Sequence, residues 1–183
     1  MAVVHHISNY KATFTDKFFI DNNVWMFLFC PIGNYEKKKQ EQYSSFVEVL
    51  INKQSTIFIN ALVLSEFCNA YLRADFTFWS KEPINSGKIN YKKDFVGTDH
   101  FKKTVEEIKV SINKILSFSI KASDDFNAIN LTNVFDNFGI SDFNDSYYVE
   151  LGRMKNYKII TDDADLFVNN KLGIEIITAN IKK

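Results

Sequence analysis

An α/β fold with a mostly parallel sheet, covered by helices on both faces, is what this sequence predicts, and three observations lead there. Short apolar runs ("FFI", "TIFI", "KII", "IEII") recur along the 183 residues, each the length of a buried strand rather than a helix. Longer segments with a 3.6-residue apolar period separate them, and strands alternating with helices form parallel sheets. Only 6 Gly and 2 Pro stand beside 18 Phe and 8 Tyr, which points to an aromatic-rich core with few irregular loops. The length fits one domain, residues 1–183, with a substantial core.

In chain order, "DKFFIDNN" reads as a strand ending at Asp21. "VWMFLF" and then "EKKKQEQYSSFVEVLINK" read as helix, with Tyr43, Phe46, Val47 and Leu50 at i, i+3, i+4, i+7. "STIFIN" is a second strand. "ALVLSEFCNAYLR" is helical, with Leu64, Phe67, Cys68 and Tyr71 on one stripe. Residues 74–97 break the period and hold a Pro and two of the Gly, so an excursion or mobile arm is expected at about 74–100. "TDHFKKTVEEIKVSINKILSF" is amphipathic, with Thr98 as N-cap and Phe101, Val105, Ile108, Ile112 and Ile115 on one face. "SFSIKA" is a short strand and "DFNAINLTNVFDNFG" a helix closed by Gly139. "SDFNDSYYVELGRMKN" is helix, "KIIT" strand, "ADLFVNN" a short helix and "GIEIIT" the last strand. This reading has no internal repeat.

Composition excludes several classes. Formal net charge is zero, 46% of residues are apolar and 24% are charged, the profile of an ordinary soluble domain. Cys30 and Cys68 lack metal or disulfide spacing and read as reduced core thiols. The start, "MAVVHHISNYKATF", has no secretion-signal pattern, and "VWMFLFCPI" is too short to span a bilayer. A soluble, cytoplasmic protein with no membrane contact is expected. P-loop, GxGxxG, GxSxG and HExxH motifs are missing, which removes nucleotide-binding, serine-hydrolase and zinc-protease readings.

Charge is uneven along the chain. Residues 124–165 carry nine acids against three bases, a local net of −6. In open parallel sheets the ligand crevice lies beyond the carboxyl ends of the strands, and the acids fall there. Asp21 ends the first predicted strand; Asp162, Asp163 and Asp165 follow "KIIT"; Asp142 and Asp145 open a helix; Glu66 lies one turn into the helix after "STIFIN". Each has a structural reading of its own. Asp142 would cap its helix and Asp145 sit favourably in the first turn; Asp162 to Asp165 would make a turn and cap; Arg73 would neutralise Glu66. Asp21, directly after "FFI", is costly there unless paired or metal-bound. Carboxylates converging in one cleft repel unless a cation compensates them. For oxygen ligands without EF-hand spacing that cation is Mg²⁺ or Mn²⁺, which can polarise a phosphodiester and activate water.

With these residues in place, the sequence resembles a PIN domain, the nuclease fold of VapC toxins from bacterial toxin–antitoxin pairs. The resemblance runs from "FFIDNNVW" to "IEIIT". Asp21 with Asn23 matches the family's first strand end, and "ALVLSEF" supplies Glu66. Asp145 is followed sixteen residues later by Thr161, and Thr161-x-Asp163 completes the most specific block. Asp162 and Asp142 are extra acids, so whether Asp162 or Asp163, and Asp142 or Asp145, is the direct ligand stays open. The chain also carries extra length around residues 74–100.

The resemblance implies a three-layer α/β/α sandwich with four or five parallel strands. It further implies Mg²⁺- or Mn²⁺-dependent hydrolysis of RNA, with Asp21, Glu66, Asp145 and Asp163 as catalytic metal ligands. Asn23, Asp142, Thr161, Asp162 and Asp165 would support them. A small antitoxin protein and a homodimer are the partners it suggests. Two other readings compete: a PIN-fold module that binds RNA or protein without catalysis, and a metal-dependent phosphatase. The phosphatase reading is weakened because "IDNN" offers Asn23 where a second Asp is wanted.

Residues 81–114 carry eight Lys against five acids. Lys88, Lys92, Lys93, Lys102 and Lys103 form a modest basic patch that could track an RNA backbone, although a solvated helix face is the favoured reading because Glu106 and Glu107 follow closely. Lys37 to Lys39 read as solvent-facing, and His5 and His6 have no partner spacing. Trp25 and Trp79 read as core or partner contacts.

Overall fold

The computed structural model describes residues 2–168 and 173–180. Among them six strands form one parallel sheet: β1 (Val3–His6), β2 (Lys17–Ile20), β3 (Thr56–Ile59), β4 (Ile120–Lys121), β5 (Lys158–Ile160) and β6 (Glu175–Thr178), in the order β1-β6-β5-β2-β3-β4. Seven α-helices cover it: α1 (Asn22–Phe29), α2 (Lys37–Asn52), α3 (Ala61–Trp79), α4 (Asp99–Leu116), α5 (Leu131–Phe138), α6 (Phe143–Lys155) and α7 (Asp165–Val168).

The layers follow from strand alternation, since consecutive side chains leave a strand on opposite faces. In β2, Phe18 meets Phe46 of α2 with ring centroids 6.3 Å apart, while Phe19 meets Tyr148 of α6 at 5.2 Å. Helices α2 and α6 therefore lie on opposite faces, giving a three-layer sandwich. Phe18, Phe19, Ile20, Ile159, Ile160, Ile176 and Ile177 are all at most 1% exposed, as expected for central strands covered on both sides. A Cβ on Gly152 would lie 3.1 Å from Ile159 Cδ1, so the missing side chain lets α6 approach β5 closely.

The sheet has six strands where four or five were expected. The additional one is β1, "VVHH", whose paired histidines hide its apolar character. It lies parallel to β6, with Val4 opposite Ile176, and His5 Nε2 lies 3.2 Å from Glu175 Oε2. Helix α3 runs to Trp79, into the stretch expected as an excursion. The cause is Asp75, which interrupts the apolar stripe in sequence but is buried here. Its carboxylate accepts from Thr104 Oγ1 at 2.6 Å and pairs with His100 Nε2 at 3.1 Å, tying α3 to α4.

Residues beyond α3 fold back as a 3₁₀ turn (Pro83–Asn85) and a π turn (Tyr91–Phe95), with Gly87 and Gly97 at φ +84° and +86° supplying bends. Phe95 is fully buried against Phe76, Trp79 and Phe101. The broken period thus records a local aromatic cluster. Helix α5 starts at Leu131, later than expected, because Asn130 caps it with an acceptor for Thr132 N–H; Gly139 ends it in a right-handed conformation, φ −74°. Trp25 and Trp79 are both core residues. The expected short helix "ADLFVNN" is described only as far as Val168. Among the described residues no helix is long and apolar enough to cross a membrane.

Candidate functional site

Parallel strands deliver their following residues to one edge of the sheet, and the carboxyl ends of β2, β3 and β5 adjoin there. Asp21 is the residue after β2. Its main-chain N–H still donates to Ile160 O of β5 at 2.9 Å, while its side chain caps α1 by accepting from Asn22 N–H at 2.6 Å. Oδ2 accepts from Asn23 Nδ2 at 2.6 Å and from Thr161 Oγ1 at 2.7 Å. Only 5% of Asp21 is exposed. A carboxylate this deep is acceptable because three donors and a helix N-terminus face it.

Thr161 links the two central strands. Its hydroxyl gives to Asp21 and accepts from Asn23 Nδ2 and from Asp163 N–H, both at 3.0 Å. Asp163 is half-buried, and its Oδ1 accepts from Asp165 N–H at 2.8 Å, starting α7. Asp165 itself is exposed. Asp142 is exposed too and caps α6, its Oδ1 accepting from Asp145 N–H at 2.9 Å. Asp145 is half-buried in the first turn of α6.

Glu66 reaches the same place from α3. Its partners both come from α6: Asn144 Nδ2 donates to Oε1 and the Tyr148 hydroxyl to Oε2, each at 2.5 Å. Residues four apart share a helix face, so one face of α6 presents both donors. Among the described residues no ion pair or hydrogen bond joins Arg73 to Glu66, so the alternative reading of neutralisation by Arg73 gives way to donors from another helix. Sequence reading missed Asn144 and Tyr148, whose only signal is their spacing beside Asp145.

The acids sense one another. Burial pushes the Asp145 carboxyl up to about 8, helped by the charges of Asp21, Asp142, Asp163 and Glu66. Burial also pushes Asp21 up to about 7, against the lowering hydrogen bonds of Thr161 and Asn22 and with Glu66 and Asp163 adding to the rise. Burial and the Glu66 carboxylate carry the Tyr148 hydroxyl far above its ordinary range. Asp21, Glu66, Asp145 and Asp163 therefore form one electrostatic unit drawn from four segments.

The donor set suits a hard divalent cation, being all carboxylate oxygen. Among the described residues no three His, Cys, Asp or Glu side chains stand close enough to form a finished metal cage. Asp21 and Glu66 accept from neutral side-chain donors, and Asp163 accepts from a main-chain N–H.

Asp162 stands apart from this unit. Lys39 Nζ lies 2.5 Å from its Oδ2, and the buried Tyr43 hydroxyl lies 3.0 Å from its Oδ1. Its main-chain N–H donates to Asn23 Oδ1 at 3.1 Å. Lys39 was expected to face solvent; its side chain is only 28% exposed.

Of the basic patch, Lys88 Nζ donates to Asn85 Oδ1 and lies over the Trp79 ring. Lys102 and Lys103 pair with Asp99 and Glu107 of their own helix, and Lys92 and Lys93 are exposed. No described hydrogen bond or ion pair joins any of the five to the acids. A groove of about 450 Å³ between the end of β1 and α2, lined by Ile7, Tyr10, Glu41, Phe46 and Val49, contains none of Asp21, Glu66, Asp145 and Asp163.

No protein-family profile and no curated protein matches the chain by sequence. In structure it is similar to VapBC2 from Rickettsia felis, solved bound to a DNA fragment from their promoter. The identity is 13%, with 88% of this chain and 98% of that one covered and a TM-score of 0.52. It is also similar to PAE2754 from Pyrobaculum aerophilum, at 15% identity, 90% and 92% coverage and a TM-score of 0.47. The first likeness is one of fold, and the fold is that of the PIN domain found in VapC proteins.

Proposed function

We propose that this chain is a metal-dependent endoribonuclease that hydrolyses RNA phosphodiester bonds, with Asp21, Glu66, Asp145 and Asp163 as its metal-holding catalytic acids. The observation that carries this reading is their convergence at the carboxyl edge of the sheet, where Asp21 and Asp145 are pushed up to about 7 and about 8. Such a cluster is costly to keep for structure alone, and raised carboxyl values of this kind gather at functional sites.

Bound there, Mg²⁺ or Mn²⁺ would polarise the phosphodiester and supply a hydroxide nucleophile from water. The protein's own residues would do the positioning. Thr161 and Asn23 hold the Asp21 carboxylate in a fixed orientation. Asn144 and Tyr148 do the same for Glu66, and Asp142 fixes the turn that carries Asp145. Orienting partners of this kind commonly govern metal affinity as strongly as the ligands' own geometry.

Cleavage of end-labelled single-stranded RNA in Mg²⁺, Mn²⁺ and EDTA tests the reading. Metal-dependent products from wild type, lost in Asp21→Asn, support it. RNA or protein binding without cleavage in any metal would favour the non-catalytic module instead. A toxin role in the cytoplasm, with a small antitoxin protein as partner and a homodimer as the working form, extends the proposal. It draws on the likeness to VapBC2. Growth arrest on expression tests the toxin role, and the mass of the purified chain in solution tests the homodimer.

A further inference from the structure

We propose that Lys39 is a phosphate-binding residue of the same centre, seating a phosphate of the RNA strand next to the one that is cut. The proposal rests on the nuclease reading for its substrate class. An acidic centre poses a problem that its carboxylates cannot solve, because it repels a polyanionic strand. Beside the divalent ion, a cation of the protein facing the strand close to the acids would offset that repulsion.

Lys39 has the placement. Its ammonium lies against Asp162, the residue between Thr161 and Asp163. In an extended segment neighbouring side chains point to opposite sides. Thr161 is turned toward Asp21, and Asp162 is turned toward Lys39. The lysine therefore lies beside the residue that precedes Asp163, on the side of the segment away from Asp21, and the adjacent phosphate is assigned to it there.

Lys39 is also held with unusual care for a lysine in the first turn of a helix. Its counter-ion is fixed at three further points. Tyr43 OH lies 3.0 Å from Asp162 Oδ1, and Asn23 Oδ1 accepts its N–H at 3.1 Å. Asn180 Nδ2 donates to its carbonyl at 2.8 Å, while the Tyr43 hydroxyl is itself anchored by Ala179 N–H at 3.0 Å. An ammonium has three N–H donors. Among the described residues Lys39 has one partner, and 28% of its side chain remains open. Two donors are left for the oxygens of an anion, without breaking the pair with Asp162.

The test is binding of a labelled single-stranded oligoribonucleotide in EDTA over a range of salt, where no metal-driven hydrolysis occurs. Wild type is compared with Lys39→Gln, Lys39→Arg and the exposed control Lys38→Gln. Removing one cation from the phosphate backbone should lower the slope of log affinity against log salt by about one and weaken low-salt binding by about five- to tenfold. Lys39→Arg should keep most of the affinity, and Lys38→Gln all of it. A purely structural ion pair would move the melting temperature and leave the slope unchanged. Equal slopes for Lys39→Gln and Lys38→Gln, or no binding by wild type at low salt, overturn the proposal. Cleavage in Mg²⁺ or Mn²⁺ by wild type separates the two ideas. A Lys39 effect on binding without any cleavage sinks the nuclease reading and keeps the phosphate seat, and cleavage without a Lys39 effect does the reverse.

Discussion

Asp21 and Asp145 are the two acids of the candidate site whose proton affinity burial raises most clearly. Both hold their protons more tightly folded than unfolded, since their ordinary carboxyl value of 3.8 rises to about 7 and about 8. Stability drawn from such a group is complete below the unfolded value and is lost as pH rises through the folded one. The metal-free protein should therefore melt at progressively lower temperature as pH rises from the unfolded value of 3.8 to about 8. Asp21→Asn should lessen that slope and melt higher than wild type at about pH 8 in EDTA; a flat wild-type profile would count against the coupled acids. The same substitution, and Asp163→Asn, should reduce metal-dependent cleavage by about a hundredfold or more, because a metal site contributes several kcal/mol to such a reaction. At this scale the acids were legible because Asp and Glu next to apolar runs are conspicuous. Tyr148, Asn144 and Lys39 were not. Their roles come from partners 78 to 123 positions away, and a single sequence carries no sign of such pairs.

Helix α6 is the element that organises the site, carrying a cap at Asp142, the acid Asp145 and the two donors to Glu66. Tyr148→Phe keeps the ring against Phe19 and removes only the hydroxyl. It should weaken Mn²⁺ binding by about tenfold, as losses of orienting partners do, read by calorimetric titration; unchanged affinity would make the hydroxyl a packing detail. The clasp between α3 and α4 belongs to stability instead. Thr104→Val leaves buried Asp75 one donor short and should cost about 1–3 kcal/mol in urea unfolding, with cleavage kept. Among elements, α2 and α4 were legible from their apolar period, and Thr98 caps α4 as read. Two of the elements missed or misjudged in extent, β1 and the end of α3, are those where a polar residue takes a part-buried or buried place in the packing. There His5 and Asp75 find partners in distant segments, Glu175 and Thr104.

For the molecule as a whole, zero formal charge conceals an uneven distribution, and a divalent cation would bind where the negative excess lies. At a hundred times its dissociation constant a ligand of the folded state adds about 2.7 kcal/mol. For a domain of this size that is a rise of roughly 5–10 °C in melting temperature. Wild type in millimolar Mg²⁺ or Mn²⁺ should show it, EDTA should reverse it, and Asp21→Asn should lack it. The parallel α/β class was legible because buried strands read as unbroken apolar runs. The order of the strands was not, since nothing local says that β5 lies between β2 and β6.

That order has a consequence in time. Strand β2 takes one neighbour from residues 56–59 and the other from residues 158–160. During synthesis the segment holding Asp21 and Glu66 leaves the ribosome with half of its sheet missing, and pairings this remote in sequence form late. Thr161, which fixes Asp21, and Asp163, which adds to its charge environment, arrive together behind β5. A nascent chain thus has no assembled centre, and any activity would switch on only after nearly all of the domain has been made.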